Sequence, residues 1–265
     1  MTTYLDRILE AHRAAAVSDH RDLEALAEVA RGCGPVRGFS AALAAPGEIA
    51  VIAEVKRASP SKGLLAADLD PSLLAASYRD GGAAALSVLT DVEFFRGSPQ
   101  DLVSARAATA LPVLRKDFTV SPADVFDARC MGADAVLLIA AALSPRELPE
   151  LMEVAASIGL DALVEVHDEA EAERALAAGA TLIGVNQRDL FTFDVDGNRA
   201  ERVARALPEG VVKVAESGIR DAGDVRRLAD AGFDAVLVGE ALVTSLDPAG
   251  ALRRLRSGAT SPAGR

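Results

Sequence analysis

Positive charge is in short supply in this chain. Lys and Arg total 28 against 39 Asp and Glu, a formal net charge of -11. That balance excludes an extended nucleic-acid-binding face, which needs clustered basic residues. It leaves room for a small anionic ligand, because a few cations and helix N-termini act locally whatever the mean charge. Cysteine is as sparse. Cys33 and Cys130 form no C-x-x-C pair, so neither a disulfide framework nor a zinc site is indicated, and both read as ordinary apolar residues of a reducing compartment. His12, His20 and His167 fall at no metal-ligand spacing, and no nucleophilic-serine motif is present. No uninterrupted apolar run reaches membrane-spanning length. The opening "MTTYLDRILEAHR" lacks the basic-then-apolar pattern of a signal peptide. The expectation is a cytoplasmic enzyme or binding protein with no nucleic-acid or membrane partner.

What the chain has is apolar sequence in short repeated runs. Half of its 265 residues are hydrophobic, and eight segments rich in Val, Ile, Leu and Ala read as buried strands: 48–56, 84–90, 112–118, 134–140, 161–167, 181–187, 211–217 and 234–240. Runs this apolar suit parallel strands covered on both faces. Between them lie amphipathic stretches, among them 121–132, 144–159, 168–179 and 221–232, each opening on Ser or Asp and closing on Gly, the start and stop chemistry of helices. "MGADAVLL", "AGATLIGV" and "AGFDAVLV" repeat one cadence of helix end, turn and strand. Eight such units predict a closed (β/α)8 TIM barrel over residues 48–256, in the α/β class. A doubly wound open sheet is the alternative, but no G-x-G-x-x-G follows the first strand. Residues 1–47 read as a helical extension packed on the barrel, and 257–265 as a disordered polar tail.

A barrel of this kind carries its site at the C-terminal strand ends. There the first strand ends in Glu54 and Lys56, two residues apart and so on one face. The third ends in Lys116, the fifth in Glu165, the sixth in Asn186 and Arg188, the seventh in Glu216 and Ser217. Strands two, four and eight offer mainly apolar residues or glycine. Such a mouth holds three carboxylates among three cations, which is costly to desolvate. It is either an internal ion-pair network that fixes strand register or a proton-transfer site. For the second reading, a lysine among carboxylates stays charged and can donate a proton, while a sheltered carboxylate can alternate between acid and base. Gly218 and Gly239, just after the last two strands, mark the usual phosphate cradle of the fold. Phe95 and Phe118 lie just past strand ends, where they either line a pocket for an aromatic substrate or pack in the core. Lys62, in the loop after the first strand, either stays in solvent or is carried over the ligand by loop closure.

Taken together, "VIAEVKRASPSKG" (51–63), "LTDVEFFRGS" (89–98), "PVLRKDF" (112–118), "ALVEVH" (162–167), "IGVNQRDL" (183–190), "VAESGI" (214–219) and "VLVGEALV" (236–243) resemble the indole-3-glycerol phosphate synthases. The resemblance covers nearly all of the chain after residue 48. It implies ring closure of 1-(2-carboxyphenylamino)-1-deoxyribulose 5-phosphate to indole-3-glycerol phosphate with loss of carbon dioxide and water, a step of tryptophan biosynthesis that needs no cofactor. It implies Lys116 as general acid and Glu165 and Glu54 in the proton transfers. Lys56 then faces a substrate anion, Asn186 and Arg188 hold the sugar hydroxyls and the carboxylate, and Glu216 supports the cations. Ser59, Ser217, Gly218 and Gly239 take the phosphate, and Pro60, Leu137, Leu190 and Ile219 complete the substrate-binding set. The chain departs from the family at Gln187, where a shorter polar residue is usual, and at Ala241, where a phosphate-binding hydroxyl is usual. Another phosphate-binding barrel, such as phosphoribosylanthranilate isomerase or a ketose-phosphate lyase, is the rival enzyme. A catalytically silent binding barrel is the rival of another class. The expected form is a monomer, with a dimer as the alternative.

Overall fold

A computed structural model describes residues 3–45, 47–60, 62–189 and 194–258. Eight strands form a closed, all-parallel barrel: β1 (Ala50–Val55), β2 (Ala85–Leu89), β3 (Val113–Lys116), β4 (Ala135–Ile139), β5 (Asp161–Val166), β6 (Leu182–Asn186), β7 (Val212–Glu216) and β8 (Ala235–Val238). Each pairs with its sequence neighbour, and β1 closes on β8 through Ala50–Ala235 to Ala53–Val238. All eight coincide with the apolar runs read from the sequence, shortened by one or two residues at the ends. Helices alternate with them: α4 (Pro71–Gly81), α5 (Pro99–Ala108), α6 (Pro122–Cys130), α7 (Glu147–Ser157), α8 (Glu169–Ala177), α9 (Arg199–Ala204), α10 (Ala222–Asp230), and α11 (Glu240–Val243) with α12 (Pro248–Arg256) after β8.

The cap chemistry explains where these helices begin. Ser121, Asp168 and Asp221 accept backbone N–H groups from the first turns of α6, α8 and α10. Ser144 differs. Its Oγ accepts the Glu147 N–H at 3.2 Å and Glu147 Oε2 accepts the Ser144 N–H at 2.8 Å, yet regular helix begins only at Glu147. At the other ends Gly132, Gly159, Gly179 and Gly232 all take φ between +77° and +90°, the left-handed turn that releases the chain into the next strand.

Residues on alternate positions face inward and stack in layers. Ile52, Ala85, Leu114, Leu163, Leu182, Val214 and Leu237 fill the barrel interior. Its floor is closed by the extension through a short helix absent from the sequence reading, α3 (Phe39–Leu43), whose Phe39 and Leu43 are buried against those same residues. The Ser40 N–H donates to Asp161 at the start of β5 (2.8 Å) and the Arg37 N–H to Asp134 before β4 (2.7 Å), anchoring the plug. Earlier in the extension, α1 (Tyr4–Ser18) lies at the opposite end, where Arg13 pairs with Glu147 at 2.8 Å and donates to the Ala142 carbonyl. Between them α2 (Leu23–Gly32) packs on α6, with Arg21 bridging to Asp127 and Arg129 reaching the Cys33 carbonyl. Cys130, read as an apolar residue, is exposed. Partial desolvation by its neighbours, and then the adjacent Cys33 thiol, raise its pKa. Ser257 and Gly258 close the last helix, and residues 259–265 lie outside the described residues.

Candidate active site

The inward stripe changes character toward the C-terminal ends. Above Ile52 on β1 comes Glu54, above Leu114 on β3 comes Lys116, above Leu163 on β5 comes Glu165, and above Val214 on β7 comes Glu216. These side chains form the base of a cavity of about 660 Å³, of the size that small-molecule sites occupy. Leu89, Leu137, Ile139 and Leu237 line it as well, so the charges sit on apolar ground.

Lys116 is the hub. Its Nζ lies 2.7 Å from Glu165 Oε2 and 3.0 Å from Glu216 Oε2. Burial by itself would discharge the ammonium, but Glu165, Glu216 and Glu54 hold its pKa well above the ordinary lysine range. The two glutamates then diverge. Burial raises both, but Lys116, His167 and an N–H from Asn186 Nδ2 (3.0 Å) bring Glu165 well below the usual carboxylate range. Glu216 is left to bear burial and the repulsion of Glu165 and Glu54, and is pushed up to about 7. Its Oε1 is buried with no partner among the described residues. One lysine thus holds an ionised carboxylate on one side and a readily protonated one on the other.

Glycine makes room for this arrangement. A Cβ built on Gly184 of β6 would fall inside contact distance of Glu216 Oε1, and one on Gly239 would fall on Glu54 Oε1. Glu54 itself pairs with Lys56 at 2.5 Å, closing the second charge pair of the base.

Around the rim, the loop after β1 folds as a small hairpin, Ala58–Ser59 against Gly63–Leu64. It places Ser59, Pro60 and Lys62 on the cavity wall. Lys62 lies 3.5 Å from Glu240 of α11 across the mouth, and both are about half exposed. The turn after β7 is tight. Ser217 takes φ +66° and Gly218 φ +74°, a left-handed pair that costs a non-glycine residue strain. Gln187, the departure noted in the sequence, supports it: Nε2 donates to the Ser217 carbonyl at 2.7 Å. Ile219, Gly239 and Ala241 continue this wall. On the opposite side Phe95 and Phe118 face one another with ring centroids 6.1 Å apart. Arg188 lines the cavity beyond Asn186 and donates its N–H to the Asn186 side chain at 3.0 Å. Leu190 lies outside the described residues. Every other residue nominated from the sequence lines this one cavity.

Several lining or neighbouring residues escaped the sequence reading. Gly197, Arg220, Asp224, Arg227 and Thr244 share the wall near the β7 and β8 turns. At the β2 and β3 ends, Thr90, Asp91, Arg115 and Asp117 are buried beside the cavity, so strand two is not merely apolar at its end. His12, which sequence spacing left isolated, reaches this group, 3.0 Å from Asp91 and 3.8 Å from Asp117. Its donor atoms and those of the two aspartates lie within 4.8 Å of one another, but Thr90, Arg115 and backbone N–H groups already engage the carboxylates. The set reads as an ion-pair cluster. Its members come from residues 12, 91 and 117, too far apart for any local motif.

The family model described as indole-3-glycerol phosphate synthase matches residues 5–255. The chain is 52% identical over 262 residues to an indole-3-glycerol phosphate synthase of Mycobacteroides abscessus and 53% identical over 264 residues to one of Mycolicibacterium gilvum. Each alignment covers 98% of this chain and 96% of the relative. Among solved structures, a thiamine phosphate pyrophosphorylase from Pyrococcus furiosus superposes with a TM-score of 0.58 at 18% identity, over 78% of this chain and 93% of that one. An N-acetylmannosamine-6-phosphate 2-epimerase from Clostridium perfringens gives 0.58 at 15% identity, over 72% and 86%. Likeness at that identity speaks to the barrel fold alone.

Proposed function

The chain belongs to the indole-3-glycerol phosphate synthase family, and on that premise we propose which of its residues carry the chemistry. The enzyme is a carboxy-lyase of tryptophan biosynthesis acting on a small phosphorylated substrate. Its reaction closes the pyrrole ring of 1-(2-carboxyphenylamino)-1-deoxyribulose 5-phosphate, so three parts of the substrate need places: a carboxyphenyl ring, a ketose chain and a phosphate.

Phe95 and Phe118 receive the ring, with Pro60 and Leu137 completing its apolar surroundings. The phosphate goes to the opposite wall, to Ser59, Ser217 and the backbone N–H groups around Gly218, Ile219 and Gly239. Backbone donors suit this subsite because Ala241 offers no hydroxyl. Arg188 and Lys56 meet the carboxylate, and Asn186 a sugar hydroxyl. Lys62 closes over the bound anion by exchanging Glu240 for it. The ketose carbonyl then lies over Lys116.

Lys116 donates its proton to the carbonyl oxygen as the ring carbon attacks, so that oxygen leaves the step as a hydroxyl. The carboxylate departs as carbon dioxide and returns its bonding pair to the ring, which restores aromaticity without an electron sink from outside. The new hydroxyl then leaves as water with a proton from the Lys56 ammonium, while the neighbouring methylene carbon gives up a proton and its C–H pair becomes the last double bond of the indole. Glu165, held ionised, accepts that methylene proton, and Glu54, paired with Lys56, receives charge back as Lys56 gives up its proton. Glu216 keeps Lys116 aimed. The observation that carries these assignments is the Lys116 ammonium held between two unlike carboxylates at the base of the cavity. Adding the substrate to the purified protein and following indole fluorescence with carbon dioxide release tests the activity. Folded protein that yields neither signal would sink it.

The same reading takes the enzyme as a cytoplasmic monomer. The two free thiols are in keeping with a reducing compartment. Among the described residues no helix is long and apolar enough to cross a membrane. Sedimentation equilibrium separates the monomer from the alternative dimer.

A further inference from the structure

The cluster at the β2 and β3 ends touches the cavity without belonging to the acid–base set. His12 comes from α1, in the N-terminal extension. Its Nε2 lies 3.0 Å from Asp91 Oδ2, and the other oxygen of Asp91 accepts the backbone N–H groups of Phe94 (2.6 Å) and Phe95 (2.9 Å). The same Nε2 lies 3.8 Å from Asp117 Oδ1, which accepts the Phe118 N–H at 2.9 Å. The imidazole ring also rests against the Phe118 ring, with centroids 5.4 Å apart. One side chain thus meets the carboxylate that shapes the Phe95 loop, the carboxylate that precedes Phe118, and the Phe118 ring.

We propose that His12 is a positioning residue for the aromatic subsite: by bridging Asp91 and Asp117 it sets the spacing and tilt of Phe95 and Phe118, and so the fit of the substrate's carboxyphenyl ring. The inference rests on the reading of those two phenylalanines as the ring-binding pair. It reaches beyond that reading by giving the extension a part in substrate recognition.

The bridge is strongest when His12 carries its proton. The charged groups facing it are Asp91 from the β2 end, Asp117 from the β3 end and Asp124 from the first turn of α6. Arg115, 3.0 Å from Asp117, is the opposing cation. Burial disfavours the imidazolium, but the hydrogen bond to Asp91 and the three acidic charges outweigh it and raise the pKa above the ordinary histidine value. Deprotonation on the alkaline side removes the charge that draws the two aspartates together.

The test is a pH series of kcat and KM on the full chain for wild type, His12→Gln, Phe95→Ala and Phe118→Ala. Loss of one well-placed aromatic contact corresponds to a KM increase of about fivefold. His12→Gln is expected to show that increase at pH 6.5 with kcat within about twofold. Wild-type KM is expected to climb toward the variant's value as pH rises, while the variant's stays flat. If both phenylalanine variants raise KM but His12→Gln does not, the inference fails and the aromatic subsite stands. Unchanged KM in the phenylalanine variants overturns the subsite reading and the inference with it. A His12→Gln chain that loses thermal stability while keeping KM and its pH dependence marks a purely structural histidine and also overturns the proposal.

Discussion

The carboxylate of Glu216 occupies the space that a side chain on Gly184 would fill. The two residues sit on adjacent strands, with Gly184 level with Glu165 on one side and Val214 on the other. Both glutamates bind Lys116, so the bare backbone at position 184 is what lets two acids converge on one ammonium.

Gly184→Ala is therefore expected to displace Glu216 and misaim Lys116. Misplacement of a general acid forfeits a large part of the ~10² to 10⁴ that such catalysis contributes, so kcat should fall by about 10² or more. Stability should drop by roughly 1–3 kcal/mol, the usual range for overpacking a filled core. Steady-state kinetics beside urea unfolding measure both. A fully active, equally stable Gly184→Ala protein would show that Glu216 need not stand where it does.

Lys116→Met removes the proposed proton donor but keeps the length of the side chain. Turnover should fall by about 10³, with substrate affinity within a few-fold, because ring and phosphate are held elsewhere. Equilibrium binding on the inactive variant, read from substrate fluorescence, separates the two effects. Full activity excludes Lys116 as the acid.

Glu216 also predicts a pH dependence of stability. Its pKa is raised on folding, from an ordinary 4.5 to about 7, so between those values the native state binds more protons than the unfolded state. Stability must then fall as pH climbs through that window. His12 and His167, both raised above 6.5, add a loss of the same sign on the alkaline side of that value. The wild-type decline between pH 5 and pH 7.5 should be visibly flatter in Glu216→Gln, measured as the urea midpoint at each pH. Identical slopes would place the shift elsewhere.

Phe39→Ala should empty the floor of the barrel. The residue is fully buried, and removing a buried aromatic side chain costs roughly 3–5 kcal/mol. Thermal melting should report the loss, while KM should stay at its wild-type value because the floor lies below the reacting layer. A raised KM would mean that the plug communicates with the mouth.

The eight strands were legible because each is a short, largely apolar run, and five of them start on Gly-Ala or Asp, a pattern that needs no knowledge of neighbours. The acid–base residues were legible for a related reason: a charge that interrupts such a run stands out, as Glu54 and Lys116 do. The five-residue α3 was not, since "FSAAL" is too short to show a helical period. The start of α7 was set two residues early, because Ser144 does cap the segment although regular helix waits until after Pro145. Gly184 reads as a weak point in a strand until the Glu216 side chain is seen beside it. The His12 cluster depends on residues 12, 91 and 117 meeting in space, and no single stretch of sequence contains that information.

The extension touches the barrel at both ends, His12 at the mouth and Phe39 with Leu43 at the floor. At the mouth it meets residues from the ends of β2 and β3; at the floor it meets side chains from strands all around the ring. The plug at the floor therefore depends on the ring as a whole, while the contact at the mouth needs only two of its strands. One segment thus takes two separate readings of the barrel, a local one through His12 and a global one through Phe39 and Leu43.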